Sequence, residues 1–191
     1  LACDPFVTML ARGNATITLP PGRYPVKVTV ADVSEQSDGS HLREAYATLL
    51  LNERPEVTRR PLTPLQPGET APELEADEFI GFGVDTGTAC LVDAGALPYG
   101  MPDESTWYEN LFDSGEDGSW FSRMDDPNHI RYGIANIPLP LAHDGANIIL
   151  IHSGWGDGHY PIVGGFDADG NLVRVHLDFF VVPAPETTLP E

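Results

Sequence analysis

Lysine is almost missing from this 191-residue chain: Lys27 is the only one, and the other nine bases are arginines. Against those ten bases stand 29 acids, for a formal net charge of −19. So acidic a chain repels phosphate backbones, which excludes nucleic acid as a partner and disfavours anionic membrane surfaces. No apolar run approaches the roughly 20 residues that cross a bilayer, so no membrane role is expected. Cysteine is scarce too. Cys3 and Cys90 form no CxxC pair and cannot build a disulfide framework, although one long-range bridge stays open. Leu1-Ala2-Cys3 has a faint likeness to a lipoprotein cleavage site but lacks the preceding apolar region. The expectation is a reduced, cytoplasmic protein with no cofactor.

What is present is period-2 patterning between turns. Nineteen Gly and 18 Pro exclude long helices, while 41% hydrophobic residues supply a core. Residues 15–19 alternate, and Tyr24, Val26, Val28 and Val30 then share one strand face. Arg43 to Asn52, Glu78 to Val84, Ala89 to Val92, Ile130 to Ile137 and Ala146 to His152 also read as strands. Tyr160 to Phe166 and Leu172 to Val182 form a hairpin around Asp167-Ala168-Asp169-Gly170-Asn171, whose Asp-Gly pair suits positive φ. Asp103 caps the one helix candidate, with Trp107, Tyr108 and Leu111 as its apolar stripe before Gly115. Pro-rich residues 53–75 read as an irregular connector, and 184–191 as a polar tail after one β-rich domain over 1–183. The expected class is mainly β, a β-dominated α+β domain, as an antiparallel sandwich or partly open barrel with one short helix.

Four features carry candidate chemistry. Val84-Asp85-Thr86-Gly87 matches the hydrophobic-Asp-Thr-Gly signature of aspartic proteases, a chemistry that needs two carboxylates sharing a proton. The chain has one such motif, and Asp93 follows only eight positions later. The plainer reading is a turn in which Asp85 accepts backbone N–H bonds and Gly87 takes positive φ. Second, Ser153-Gly154-Trp155-Gly156-Asp157-Gly158 is a glycine-rich loop with Trp155 packed beneath it, or a ligand-contacting loop carrying Trp155 and Asp157. Third, His176 and Asp178 share a strand face and, with His152, are the weak candidates for a metal, without any recognised ligand spacing. Fourth, Asp103 to Asp126 holds eight acids against Arg123, interleaved with Trp107, Phe112, Trp120 and Phe121. Trp107, Trp120, Asp113 and Asp117 are therefore candidate binding residues.

Several segments together resemble the bacterial domain-of-unknown-function family numbered 4241. The matching pieces are Ala2-Cys3-Asp4-Pro5-Phe6, Leu19 to Val26, Val84 to Cys90, Ser153 to Pro161, Gly165 to Gly170 and Asp178-Phe179, in the family's order. The resemblance implies one domain of mixed strands in a bacterial, cytoplasmic protein. It also weakens the protease reading, because similar members often carry Ala between the Asp and Gly of the middle motif. Where the family pattern places a Trp, this chain has Val57-Thr58-Arg59-Arg60. The family brings no assigned reaction.

Two functions are expected from these features. The first is a non-catalytic protein-binding module for a basic partner protein, such as an immunity-type inhibitor, driven by the charge and the acid-and-aromatic stretch. The alternative is a hydrolase whose carboxylates, Asp85, Asp157, Asp93 and Asp178, converge in one cleft with or without a divalent ion. The sequence leaves the oligomeric state open.

Overall fold

Alternation along two central strands sorts the apolar side chains into two cores. Strands β6 (Thr88–Val92) and β8 (Asn147–His152) pair antiparallel, with Cys90 opposite Leu150 and Leu91 opposite Ile149. Successive side chains leave opposite faces of a strand. Cys90, Val92, Ile148 and Leu150 therefore enter one core, and Ala89, Leu91, Ile149 and Ile151 the other. Both faces of this sheet are covered, which is why Ile148 to Ile151 is an unbroken apolar run.

The computed structural model describes residues 1–9, 16–66, 68–75 and 78–183. Ala15 of the first expected strand and the tail at 184–191 lie outside the described residues. Strands β1 (Ala2–Cys3) and β7 (Ile134–Pro138) complete the four-stranded sheet in the order β1-β6-β8-β7. A five-stranded sheet has the order β2-β3-β11-β10-β4, from β2 (Val26–Asp32), β3 (Leu42–Leu50), β4 (Thr58–Leu62), β10 (Ile162–Phe166) and β11 (Leu172–Asp178). The short strands β5 (Phe82–Val84) and β9 (Gly158–Tyr160) pair separately. Every strand pairing is antiparallel. The expected β-dominated class holds, and among the described residues no barrel closes.

The five-stranded sheet presents Ala45, Ala47, Ile162, Val175 and Leu177 to Ala89 and Ile151 of the four-stranded sheet, with Phe82, Val84 and Tyr160 at their margin. The opposite face of the four-stranded sheet is roofed by Leu97, Met101, Trp107, Phe112, Trp120 and Met124. Those residues lie in or between α1 (Leu97–Gly100), a 3₁₀ turn (Glu104–Thr106), a π-turn (Tyr108–Phe112) and α2 (Trp120–Asp125). The layers are thus sheet, sheet and short helical turns. Burying each large aliphatic side chain in these cores is worth about 1.5–3 kcal/mol.

Several expected boundaries move for identifiable reasons. Asp103 does cap its segment, its Oδ1 accepting from the Ser105 N–H at 3.0 Å. The segment then breaks into a 3₁₀ turn and a π-turn, and Ser119 caps α2 separately through the Ser122 N–H at 3.2 Å. The connector at 53–75 is not wholly irregular, because β4 pairs there with β10. It is an edge strand, which is where Pro61, having no N–H to donate, is tolerated. Pro161 likewise divides the expected strand Tyr160 to Phe166 into the ends of β9 and β10. Phe180, at φ 55°, turns the chain after β11 and shortens the last strand.

The β10–β11 hairpin closes through Asp167. Its Oδ1 accepts from the N–H groups of Asp169 (3.0 Å) and Asn171 (2.8 Å), and its Oδ2 receives Arg54 Nη1 at 2.9 Å. The bond from Arg54, helped by those backbone donors, lowers its pKa from 3.8 to about 2. A carboxylate depressed in the folded state contributes stability that is full above its unfolded pKa and fades as pH falls through the folded one. Asp167→Asn should therefore lower the urea midpoint at about pH 6, and the gap to wild type should shrink between about pH 4 and pH 2. Urea unfolding at several pH values checks this; a gap independent of pH would contradict the assignment.

Candidate functional site

Asp4 is completely buried, and its carboxylate organises the region where the sequence motifs meet. Oδ1 accepts from the Phe6 N–H at 2.9 Å, a local turn across Pro5. Oδ2 accepts from the Asp85 N–H (2.9 Å), the Thr86 N–H (2.8 Å) and the Thr86 hydroxyl (2.9 Å), more than 80 residues away. The Asp85–Gly87 loop is thus held by a buried anion, with Gly87 at φ 65° as a turn there requires. The expected roles of the aspartates are reversed: Asp85 gives its backbone N–H, and Asp4 accepts it.

The glycine-rich loop abuts the far side of that turn. Asp157 Oδ1 accepts from the Gly87 N–H at 2.9 Å, and the Ser153 N–H donates to the Gly87 carbonyl at 3.0 Å. Inside the loop the Ser153 hydroxyl donates to the Gly156 carbonyl at 2.7 Å, and the Tyr160 hydroxyl lies 2.7 Å from the same oxygen. Gly154 adopts φ 62°, and a Cβ there would lie 2.6 Å from Val181 Cγ2 and 2.9 Å from the Glu44 carbonyl. Only glycine fits. That turn sends Trp155 outward, so the expected burial of Trp155 is corrected: it is 54% exposed. Arg43 lies over its ring at 5.2 Å, and His41 meets it edge-on.

Thr86 and Thr88 form one wall of a cleft of about 430 Å³. The other lining residues are Phe6, Tyr108, Phe121, Met124, Asp125 and His152. Phe6 packs edge-on against Phe121 and Phe112, with centroids at 4.8 and 4.9 Å, and Tyr108 stands edge-on to Phe121. Tyr132 covers the His152 ring edge-on at 5.4 Å. Tyr108 is 62% exposed and Asp125 is exposed, so aromatic faces and a carboxylate are open at the mouth.

The structure separates the other candidates. Trp107 and Trp120, expected at a binding surface, are core residues at 5% and 2% exposure, because their turns roof the four-stranded sheet. Asp113 and Asp117 are exposed on the same helical layer. Asp93 accepts from the Gly95 N–H in its own turn at 2.8 Å, and it lies at the other end of β6 from Gly87, about 20 Å away. Asp178 accepts from the Phe180 N–H at 2.9 Å on the five-stranded sheet, where burial raises its pKa. Of the four carboxylates in the hydrolase expectation, only Asp85 and Asp157 sit on touching loops.

His176 and Asp178 do share a strand face, but His152 belongs to the other sheet and borders the cleft. Both ring nitrogens of His176 are engaged, Nδ1 with Thr48 Oγ1 at 2.8 Å and Nε2 with Glu56 Oε2 at 2.7 Å. Burial lowers the His176 pKa against the raising effect of the bond to Glu56. For Glu56, burial pulls upward, but hydrogen bonds from Arg59 and His176 prevail and lower it. A neutral His176 accepting from Thr48 and donating to Glu56 satisfies all three groups. No nitrogen is left for a metal, and among the described residues no group of three His, Cys, Asp or Glu could hold one.

Asp4 and the aromatic cleft were the parts that sequence reading missed. The Asp-Pro-Phe turn was a local signal for Asp4, but its partners across 81 residues were not readable. If Asp4 anchors the loop, Asp4→Ala leaves buried donors unpaired and should cost about 3 kcal/mol or more in urea unfolding. Asp4→Asn should cost clearly less, since one carbonyl oxygen can still face the three donors on the Oδ2 side. Equal losses in the two variants would argue against this network.

No curated protein and no solved structure matches this chain. The family model described as "Protein of unknown function (DUF4241)" matches residues 1–177, which takes in the Asp4 turn, the Asp85–Gly87 loop, the glycine-rich loop and both sheets. The chain belongs to the DUF4241 family.

Proposed function

We propose that this chain is a non-catalytic binding module that receives a cationic side chain of a basic partner protein, as an immunity-type inhibitor would. The observation that carries this reading is the cleft. Phe6, Tyr108 and Phe121 offer ring faces and edges beside the Asp125 carboxylate. A guanidinium or ammonium group over such rings gains about 0.5–2 kcal/mol, and more when a carboxylate is within reach. The segment Asp103 to Asp126, which supplies four of the cleft's lining residues, carries eight acids against one arginine, and none of the eight has an ion-pair partner among the described residues. Unpaired charge of one sign attracts an oppositely charged partner and speeds its arrival.

The hydrolase reading has less support. It requires carboxylates that share a substrate, and Asp93 and Asp178 are each bound within turns of their own.

A poly-arginine peptide is the simplest probe, titrated calorimetrically. Binding should weaken steadily with salt and be nearly lost at about 1 M, where the screening length is about 3 Å. Tyr108→Ala and Asp125→Asn should each weaken it roughly five- to tenfold, whereas Glu35→Gln, on an exposed loop outside the cleft, should change little. Salt-independent binding, or equal losses for all three variants, would overturn the proposal.

A further inference from the structure

We infer that Cys3 and Cys90 form a redox latch, closed by hydrogen peroxide, that pins the loop forming one wall of the cleft. The two residues are direct partners across the β1–β6 ladder. Their sulfurs lie 3.6 Å apart, both thiols are free, and both side chains are buried. Opposed residues of an antiparallel pair have Cα atoms about 4.5–5.5 Å apart, inside the range that a disulfide spans. Closing the bond needs a sulfur movement of about 1.5 Å, within reach of side-chain rotation and a slight strand adjustment.

Access differs between the two thiols. Cys90 lies in the interior strand β6, flanked by β1 and β8, and burial raises its pKa, which keeps it a thiol. Cys3 lies on β1, an edge strand of two residues, and lines a second cleft of about 210 Å³ with Thr8, Pro64 and Gly81 to Gly83. That cleft admits a small oxidant, and so short an edge pairing opens more readily than the interior of the sheet. Cys3 is therefore the attacking residue and Cys90 the resolving one.

The chemistry balances with peroxide alone. The Cys3 thiolate attacks one peroxide oxygen, the O–O bond breaks, and hydroxide leaves as water with the proton released by the thiol, giving a sulfenic acid. Cys90 sulfur then displaces the sulfenic hydroxyl, which departs as a second water with the Cys90 proton. Two thiols and one peroxide become one disulfide and two waters.

The consequence runs through Asp4. It follows Cys3 directly, and its carboxylate holds the Asp85 and Thr86 amides at 2.9 and 2.8 Å. Covalent fixation of β1 removes the opening motion that would carry Asp4 away from that loop. The latch thus couples the redox state to the order of the Thr86 wall of the cleft.

The test treats the folded full chain with hydrogen peroxide and maps its peptides by mass spectrometry. A peptide pair joined through Cys3 and Cys90, short by two hydrogens and released by dithiothreitol, is the expected product. Amide hydrogen exchange at Asp85 and Thr86 should then slow several-fold and recover on reduction. Cys90→Ser should stop at a sulfenic acid on Cys3, trapped by dimedone. If that variant does not fold, the wild-type peptide map decides alone. Sulfinic acid on Cys3 with Cys90 unchanged, or thiols that both remain free, would overturn the inference. A disulfide that forms without slowing exchange at Asp85 and Thr86 would overturn the latch.

Discussion

The geometry of the candidate site depends on a buried negative charge with enough donors around it. A carboxylate removed from water costs several kcal/mol unless hydrogen bonds replace its hydration. Asp4 receives four donors, from Phe6, Asp85 and twice from Thr86. Each charge-assisted bond is worth about 1.5–3 kcal/mol, so the full set offsets the burial, whereas a partial set would not. The Asp85–Gly87 loop is therefore held in one position: leaving it would strand the anion. Through the Gly87 N–H the same constraint reaches Asp157 and the glycine-rich loop.

A second constraint is the sheet buried on both faces. Strand β8 sends Ile148 and Leu150 toward the helical turns and Ile149 and Ile151 toward the five-stranded sheet. A one-residue slip would exchange the two sets and bring each against the wrong layer. That fixed register places Thr88 opposite His152, so two cleft residues from different strands are set side by side by core packing. The rest of the wall comes from aromatics of the helical layer, whose buried members Trp107, Phe112 and Trp120 anchor the exposed Tyr108 and the half-buried Phe121. The helical turns serve the cleft by being too short to do anything but roof the sheet and project from it.

Much of this fold could be read from local pattern, because its signals were local. The alternation in β2 and β3, the Asp-Gly hairpin at Gly170 and the cap at Asp103 each depend on neighbours within a few residues. Val84, Ile151, Ile162, Val173, Val175 and Leu177, all on runs that read as strands, are buried in the core. The misses are of another kind. Trp155 looked like a core residue because it is large and apolar, yet the positive φ of Gly154 reverses its direction. Trp107 and Trp120 looked like surface anchors because acids surround them in sequence. On these short turns Trp107 and Trp120 face the sheet, while the acids near them in sequence, such as Asp113 and Asp117, face water. Strand β4 was hidden by Pro61 and the prolines that flank it, and an edge position tolerates a proline. Asp4 was hidden by distance, since nothing near it in sequence names its partners in the Asp85–Gly87 loop.

The acid excess takes its meaning from where the pairs are. Among the described residues Arg54, Arg59 and Arg131 are in ion pairs, with Asp167, Asp169, Glu56 and Glu44. Three of those acids brace the hairpin loop and the outer side of the five-stranded sheet, on the far side of that layer from the helical turns. Arg43 and Arg60 lie over Trp155 and Phe166 instead. Those five arginines are committed within the fold, and none of them pairs with an acid of the helical layer. Asp125 is the carboxylate that lines the aromatic cleft, and no arginine of the described residues pairs with it. Because repulsion among like charges disfavours the folded state, such an arrangement carries a cost that a cationic occupant would relieve.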